Sequence, residues 1–181
     1  MTAQKIKFFA PYAGLPVICA ALLIMRGTSG NWVAIFKLEM LVIFGYFASV
    51  YDIKEKRIPN LLVLLMIGAW VVSTVPHLFY DTSAAIESTL EAIIGFATAG
   101  ILFLLVYIIS RNGLGGGDVK LMAAAGLYLG FRNVLPAMLY GALLAGASGL
   151  ILIVAKKMSL KDSMPLAPFL YIGMMLTIFF L

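Results

Sequence analysis

The chain has 181 residues, of which 63% are hydrophobic and 12% are charged, and its net charge is +5. This composition excludes an ordinary soluble protein, and the length leaves no room for a separate soluble domain beside the roughly six to eight spanning helices it could hold. The basic residues are divided among short loops between apolar runs, so they indicate membrane topology and not nucleic-acid binding. We therefore predict a single integral membrane domain over residues 1–181.

The apolar runs predict an all-α, polytopic bundle of six to seven transmembrane helices. Seven segments are expected, at about 8–25, 33–51, 60–80, 88–109, 118–131, 134–155 and 164–181. The fifth segment is short: at about 1.5 Å per residue it would extend about 21 Å, less than the roughly 30 Å of a bilayer core. Either its helix continues through Arg132 and Asn133, or it begins inside the membrane.

The distribution of Lys and Arg predicts the orientation. If the N-terminus is cytoplasmic and the segments alternate, ten basic residues lie on the cytoplasmic side and three outside. The ten are Lys5, Lys7, Lys54, Lys56, Arg57, Arg111, Lys120, Lys156, Lys157 and Lys161, and the three are Arg26, Lys37 and Arg132. This bias follows the positive-inside rule and predicts a multi-pass protein of the cytoplasmic (inner) membrane.

Two aspartates are the candidate functional residues. Asp52 ends the second segment, and Asp118 begins the fifth, directly after a glycine-rich loop. They are 66 residues apart in sequence, yet the topology places both at the cytoplasmic side. A carboxylate at the mouth of a membrane helix is costly and is therefore a candidate for function.

The remaining side chains narrow the chemistry. His77, the only histidine, is expected at an outer helix end, and Cys19, the only cysteine, lies in an apolar run. These positions disfavour a serine or cysteine protease and a metal centre, so no metal or cofactor is expected. Two neighbouring carboxylates share a proton, so that one can activate water while the other protonates a peptide carbonyl. The sequence leaves open which aspartate is the base.

Other interpretations of the two aspartates stay open at this point. Asp52 could pair with the basic residues that follow it, and Asp118 could cap the helix that it begins. The two could also form a proton or ion pathway in a small transporter, although no inverted repeat is visible. A purely structural subunit of a larger membrane assembly would tolerate neutral replacement of both.

Three motifs resemble one known family. Gly115-Gly116-Gly117-Asp118 fits the GxGD motif of intramembrane aspartyl proteases, and residues 115–121, GGGDVKL, are similar to the type IV prepilin peptidases. Two further features are similar to the same family: Asp52 with the KRIPN block at 56–60, and the proline-containing stretch at 164–169. The resemblance covers about 45–181, leaving 1–44 as an extra N-terminal helix and the start of the next. Presenilin-like proteases share the Tyr51-Asp52 pair and GxGD, and are the nearest alternative.

The resemblance implies specific roles. Asp52 and Asp118 would be the catalytic pair of an aspartic endopeptidase, and the substrate would be a prepilin or pilin-like precursor cut at the cytoplasmic membrane face. Gly115, Gly116 and Gly117 would let the substrate backbone approach, and Lys120 would either orient the site or mark the cytoplasmic side. Longer members carry a zinc-binding cysteine loop and also N-methylate the product. Because this chain has one cysteine, the resemblance is to the short peptidase-only type, and methyltransferase activity is not expected.

Overall fold

The structure is a computed structural model that describes residues 15–26, 32–110, 113–159 and 162–180. Helices account for nearly all of these residues, and no strand occurs among them. In chain order the helices are α1 (Leu15–Arg26), α2 (Trp32–Glu55), α3 (Asn60–Tyr80), α4 (Thr82–Ile109), α5 (Gly116–Val154) and α6 (Ala167–Phe180). The prediction of an all-α helical fold is confirmed.

Four of the described helices, α2 to α5, are long and apolar enough to cross a membrane, and α6 is a shorter apolar helix. The predicted number of seven spanning helices is not confirmed, because the segments at 118–131 and 134–155 both belong to α5. The predicted first segment began near residue 8, and its part before Leu15 lies outside the described residues.

Helix α5 is broken at Gly130. An unbroken helix of its 39 residues would be about 58 Å long, roughly twice the thickness of a bilayer core. Gly130 has φ 69° and ψ 175°, a conformation that only glycine adopts without strain. The break separates a first leg, 116–129, from a second leg, 131–154. Helical backbone therefore continues through Arg132 and Asn133, but in a new direction.

Contacts with neighbouring helices show that the two legs run in opposite directions. The first leg is antiparallel to α4, since Gly126 meets Gly95 and Gly130 lies beside Glu91. The second leg is antiparallel to α6, since Gly141 meets Leu170 while Gly149, further along, lies nearest Met164. The first leg and α6 begin at the same end of the bundle, because Asp52 lies close to both Asp118 and Ala167, so the second leg runs opposite to the first. The alternation expected for the fifth and sixth segments is thus achieved by one helix that reverses at a glycine.

The first leg of α5 is the centre of the bundle. Every residue from Leu121 to Leu129 is buried, so this leg has no face left for solvent or lipid. A helix that is apolar on all sides is stable only when other helices surround it. Tyr128 carries the one polar side chain between Leu121 and Leu129, and its hydroxyl group donates a hydrogen bond to the main-chain oxygen of Met66 at 2.5 Å. Because Asp118 stands at the start of this leg, the most enclosed helix of the molecule carries one of the two candidate aspartates.

Glycines set the spacing between helices. A Cβ atom added at Gly141 would lie 2.9 Å from the Cα atom of Leu170, so the second leg and α6 are in backbone contact. The sequence Gly141, Ala145, Gly149 predicted a stripe of small residues for close packing. Gly141 does pack in this way, whereas Gly149 meets only the end of the Met164 side chain, 3.8 Å away.

Asp81, the residue between α3 and α4, is expected to make the stability of the fold depend on pH. Asp81 caps α4: its Oδ1 accepts from the Ala84 N–H at 3.1 Å and from the Ser83 hydroxyl at 3.0 Å. These hydrogen bonds, the one from Ala84 first, lower the pKa of Asp81 from the usual 3.8. Since the folded-state pKa is depressed, the stabilisation is present above pH 3.8 and is lost as the pH falls through the folded-state pKa.

We expect Asp81→Asn to weaken this acid dependence. Asparagine also caps helices and does not titrate, so the variant should match the wild type near pH 7 and lose less of its thermal stability below pH 4. Thermal unfolding of the purified protein between pH 3 and 7 measures this. Parallel losses in the two proteins would show that the cap does not contribute to the acid sensitivity.

Candidate active site

Asp52 lies in the last turn of α2 with 6% of its surface exposed. Its Oδ2 accepts a hydrogen bond from the main-chain N–H of Ala167 at 2.9 Å, and the Leu166 amide also lies within reach. Ala167 is the first residue of α6, so the carboxyl group is at a helix N-terminus, where free N–H groups and the helix dipole favour negative charge. The last helix of the chain therefore holds Asp52 in place.

The turn after Asp52 is tied to the same segment. Lys56 has φ 51°, and its N–H donates to the main-chain oxygen of Asp52 at 2.8 Å, which ends α2. The Lys56 ammonium donates to the main-chain oxygen of Ser163 at 2.8 Å. It also interacts electrostatically with Asp52. Lys56 was expected to determine topology or to pair with Asp52, and it also connects the end of α2 to the segment leading into α6.

Asp118 lies in the first turn of α5 and is 7% exposed. Its N–H donates to the main-chain oxygen of Gly115 at 3.1 Å, which closes the first turn of the helix. Its Oδ1 is buried and has no hydrogen-bond partner among the described residues. A buried carboxyl oxygen without a partner is unusual in a folded protein.

The structure brings the two aspartates together. Asp52 and Asp118 are close enough to interact electrostatically, although they belong to α2 and α5. The expected arrangement, with the end of one helix beside the start of another, is thus present in the bundle. Both are buried, so at least part of the charge of one must be neutralised by a proton or by a neighbouring group.

The three glycines before Asp118 have different surroundings. A Cβ atom at Gly115 would lie 2.8 Å from Oδ2 of Asp118, and one at Gly117 would lie 3.1 Å from Cβ of Ile58. Only Gly116 faces open space, with nothing within 4 Å of an added Cβ atom. Side chains at positions 115 and 117 would therefore meet Asp118 and Ile58, whereas a side chain at position 116 would meet no neighbour.

Lys120 connects the glycine-rich motif at 115–121 to the basic block at 56–60. Its ammonium donates to Oδ1 of Asn60, the first residue of α3, at 3.0 Å. Together with the contact of Gly117 and Ile58, this bond fixes the start of α5 against the start of α3. Lys120 therefore has a positioning contact, which is compatible with either of the roles expected for it.

Sequence reasoning missed the part played by Ala167. Ile58 and Asn60 belong to the block at 56–60, so the motif itself could have suggested them. Ala167 contributes a main-chain N–H, and a backbone donor leaves no signal in the identity of its residue. Only the fold, which places the start of α6 beside the end of α2, reveals this contact.

The other candidate groups of the sequence lie elsewhere. His77 is at the far end of α3, in a cavity with Lys37 and Glu91. Among the described residues no three His, Cys, Asp or Glu side chains come together in a way that could hold a metal ion.

Fold and site together define a multi-pass helical membrane protein with two buried aspartates at one end of its bundle. The chain belongs to the type IV leader peptidase family, whose model matches residues 39–154. The matched range contains Asp52, Asp118 and both glycine-rich and basic motifs. It ends before α6, although α6 supplies the N–H that binds Asp52.

Several curated relatives share the name prepilin leader peptidase/N-methyltransferase. The protein from Bacillus subtilis (strain 168) is 28% identical over 177 residues, which cover 96% of this chain and 66% of the relative. The protein from Burkholderia pseudomallei (strain K96243) is 29% identical over 164 residues, covering 90% and 51%, respectively. The protein from Pectobacterium carotovorum subsp. carotovorum is 32% identical over 169 residues, covering 88% and 54%. The chain thus spans about half to two thirds of the length of these relatives, and no solved structure matches it.

Proposed function

We propose that this protein is a membrane aspartic endopeptidase that removes the basic leader from prepilins or pilin-like precursors of type IV pili. The observation that carries the proposal is the meeting of Asp52 and Asp118, both buried, at one end of the bundle. Membership of a family of leader peptidases supplies the substrate class. It also favours this function over a presenilin-like protease or a transporter.

In the proposed mechanism the two aspartates have different roles. Asp52 accepts a main-chain N–H at the start of α6, an arrangement that suits a charged carboxylate, so we assign it as the base that takes a proton from water. Asp118 has a buried oxygen without a donor, which suits the protonated form, so it is the acid. The water attacks the scissile carbonyl, and the proton of Asp118 passes to the carbonyl oxygen as it becomes tetrahedral. The C–N bond then breaks as the proton held by Asp52 passes to the leaving amine nitrogen, and the new carboxyl group returns a proton to Asp118.

The glycine-rich loop is the proposed path for the substrate backbone. Gly116 is the one glycine of the three whose Cβ position is open, and it stands two residues before Asp118. A peptide lying against it would bring its carbonyl group next to the aspartates. We therefore assign the substrate contact to Gly116, a place beside the Asp118 carboxyl group to Gly115, and packing against Ile58 to Gly117.

The site is proposed to face the cytoplasm. Lys54, Lys56, Arg57 and Lys120 all lie at the same end of the bundle as the aspartates, and such a concentration of basic residues is typical of the cytoplasmic side. A precursor whose basic leader remains in the cytoplasm would present its cleavage point at this level of the membrane.

Cleavage of a prepilin by the purified protein tests the function. The full chain in detergent is incubated with a prepilin that carries its leader, and the mass of the product is measured by mass spectrometry. We expect a product that lacks the leader and has an unmethylated N-terminus, because one cysteine cannot form two Cys-x-x-Cys pairs. A methylated product in the presence of a methyl donor would contradict the peptidase-only assignment, and failure to cut any pilin-like precursor would contradict the function itself.

Ala167 provides a test of the backbone contact. Ala167→Pro removes the N–H that binds Asp52, while proline is well tolerated in the first turn of a helix. We expect the cleavage rate to fall by about 10-fold or more, given about 1.5–3 kcal/mol for a hydrogen bond to a charged group. Ala167→Gly retains the N–H and is the matched control. Equal activity of the proline and glycine variants would show that this hydrogen bond has no part in catalysis.

A further inference from the structure

A second polar site lies at the opposite end of the bundle. A cavity of about 460 Å³ opens there between α2, α3, α4 and the break in α5. One of its lining residues, Lys37, precedes Asp52 by 15 positions on α2, which corresponds to about 22 Å along the helix. The cavity is therefore separate from the candidate active site. Its volume is within the range of about 300–1,000 Å³ that is usual for small-molecule sites.

The lining combines both signs of charge. Lys37 and Arg132 supply positive groups, and Glu87 and Glu91 supply negative groups. The two pairs balance, so these four side chains together suit neither a pure anion nor a pure cation. Val33, Leu38, Leu127 and Leu129 form apolar walls beside these charges. A molecule that carries a positive and a negative group on an apolar body would be complementary to this lining.

The charged groups of the cavity are not committed to strong internal partners. Glu91 and Arg132 are 3.9 Å apart, and 86% of the Arg132 side chain is exposed, so this ion pair is weak. The Lys37 ammonium is 5.4 Å from the centre of the Trp70 ring. Nδ1 of His77 is buried and has no hydrogen-bond partner among the described residues. Such groups remain available to a ligand.

Exposed aromatic side chains place the cavity at the level of lipid head groups. Trp32 stands beside the cavity residue Val33, and Phe79 and Tyr80 follow His77 in the last turn of α3. All three are exposed, and 89% of the surface of Tyr80 is accessible. Tryptophan and tyrosine in such positions are typical of the boundary between membrane and water.

We propose that this cavity binds the head group of a phospholipid that carries both a phosphate and a primary ammonium, as phosphatidylethanolamine does. The phosphate contacts Lys37 and His77, and the ammonium contacts Glu87 and Glu91. The glycerol and the first carbons of the acyl chains lie against the apolar wall. The site is independent of the peptidase function, because none of its residues belongs to the aspartate site.

Lipid selectivity is the first test. The full chain in detergent is titrated with phosphatidylethanolamine, phosphatidylcholine or phosphatidylglycerol, and thermal unfolding and native mass spectrometry report binding. At a tenfold excess over Kd, phosphatidylethanolamine should raise Tm by about 3 °C. The other two should have less effect, because the choline group has no N–H to donate and the glycerol group has no positive charge. Equal shifts and equal occupancy for the three lipids would overturn the proposal.

Glycerophosphoethanolamine, which has the same head group but no acyl chains, distinguishes a lipid from a soluble ligand. We expect at least about a tenfold weaker response, because the apolar wall then buries nothing. A response equal to that of the lipid would show that the cavity serves a free phosphate ester, and it would contradict the membrane-lipid assignment.

Variants locate the binding within the cavity. Lys37→Gln and Glu87→Gln should each weaken phosphatidylethanolamine binding by about 10-fold, as expected when one partner of a charged hydrogen bond is removed. Lys157→Gln and Glu55→Gln carry the same changes at exposed positions at the other end of the bundle and should bind as the wild type does. Wild-type affinity in both cavity variants would refute the assignment. If a variant does not fold, the selectivity of the wild type for the three lipids still decides the question.

Discussion

Asp52→Asn and Asp118→Asn are each expected to lower the rate of leader cleavage by roughly 10³-fold or more. Asparagine retains the size and polarity of aspartate but cannot exchange the proton that the reaction needs. Because the two groups act as a unit, the double variant should be little worse than either single variant. The measurement is the rate of appearance of the leaderless product from a co-expressed or purified prepilin.

Asp81→Asn is the matched control for the catalytic variants. Asp81 caps α4 between two helices, remote from the aspartate site, and asparagine preserves the cap. We expect this variant to cleave at the wild-type rate. Retention of cleavage by either Asp52→Asn or Asp118→Asn, in protein that is inserted and folded, would remove that residue from the mechanism.

Gly126→Ala is expected to destabilise the fold strongly. Gly126 lies in the central leg of α5 against the backbone of α4, and an added Cβ atom would lie within 2.8 Å of the Phe96 nitrogen. The backbones of α4 and α5 can make room for this atom only if the two helices move apart. We expect a loss of about 3 kcal/mol, the upper part of the range for overpacking, and a fall in Tm of about 10 °C. Thermal unfolding in detergent measures this.

Gly68→Ala makes the same chemical change in a helix without the close contact. Nothing lies within 4 Å of a Cβ atom added at Gly68 in the interior of α3. Alanine is the better helix former by about 0.8–1 kcal/mol, so this variant should keep or raise Tm. If Gly126→Ala behaved like Gly68→Ala, the close approach of α4 and α5 would not be needed for the fold.

Much of the architecture could be predicted because the membrane leaves the chain few choices. Apolar runs of 20 residues or so must become helices, since hydrocarbon offers no partner for the backbone. The segment at 60–80 therefore coincides with α3, and the segment at 134–155 begins three residues after the start of the second leg of α5 and ends one residue beyond it. The break in α5 could not be predicted with the same certainty, because Gly130 is one of several glycines in its region and only packing decides which of them adopts φ 69°.

The candidate site was predictable in part. Asp52 and Asp118 were identified because carboxylates are rare at the ends of apolar runs, and a loop of glycines and a basic block accompany them. The separate surroundings of Gly115, Gly116 and Gly117 were not predictable, since the three residues are identical in sequence. What distinguishes them is the neighbour that each one meets: the side chain of Asp118, open space and Ile58, respectively.

The sequence by itself determined that this protein is a helical membrane protein, and it identified the two aspartates and the family. Those features depend on composition, periodicity and short motifs, which are local properties of the chain. Only the tertiary structure decided which donor holds Asp52, which oxygen of Asp118 has no partner, and that a balanced charged cavity opens at the far end of the bundle. These features arise where helices that are distant in sequence pack together, and a backbone N–H or an empty volume has no counterpart in the identity of any residue.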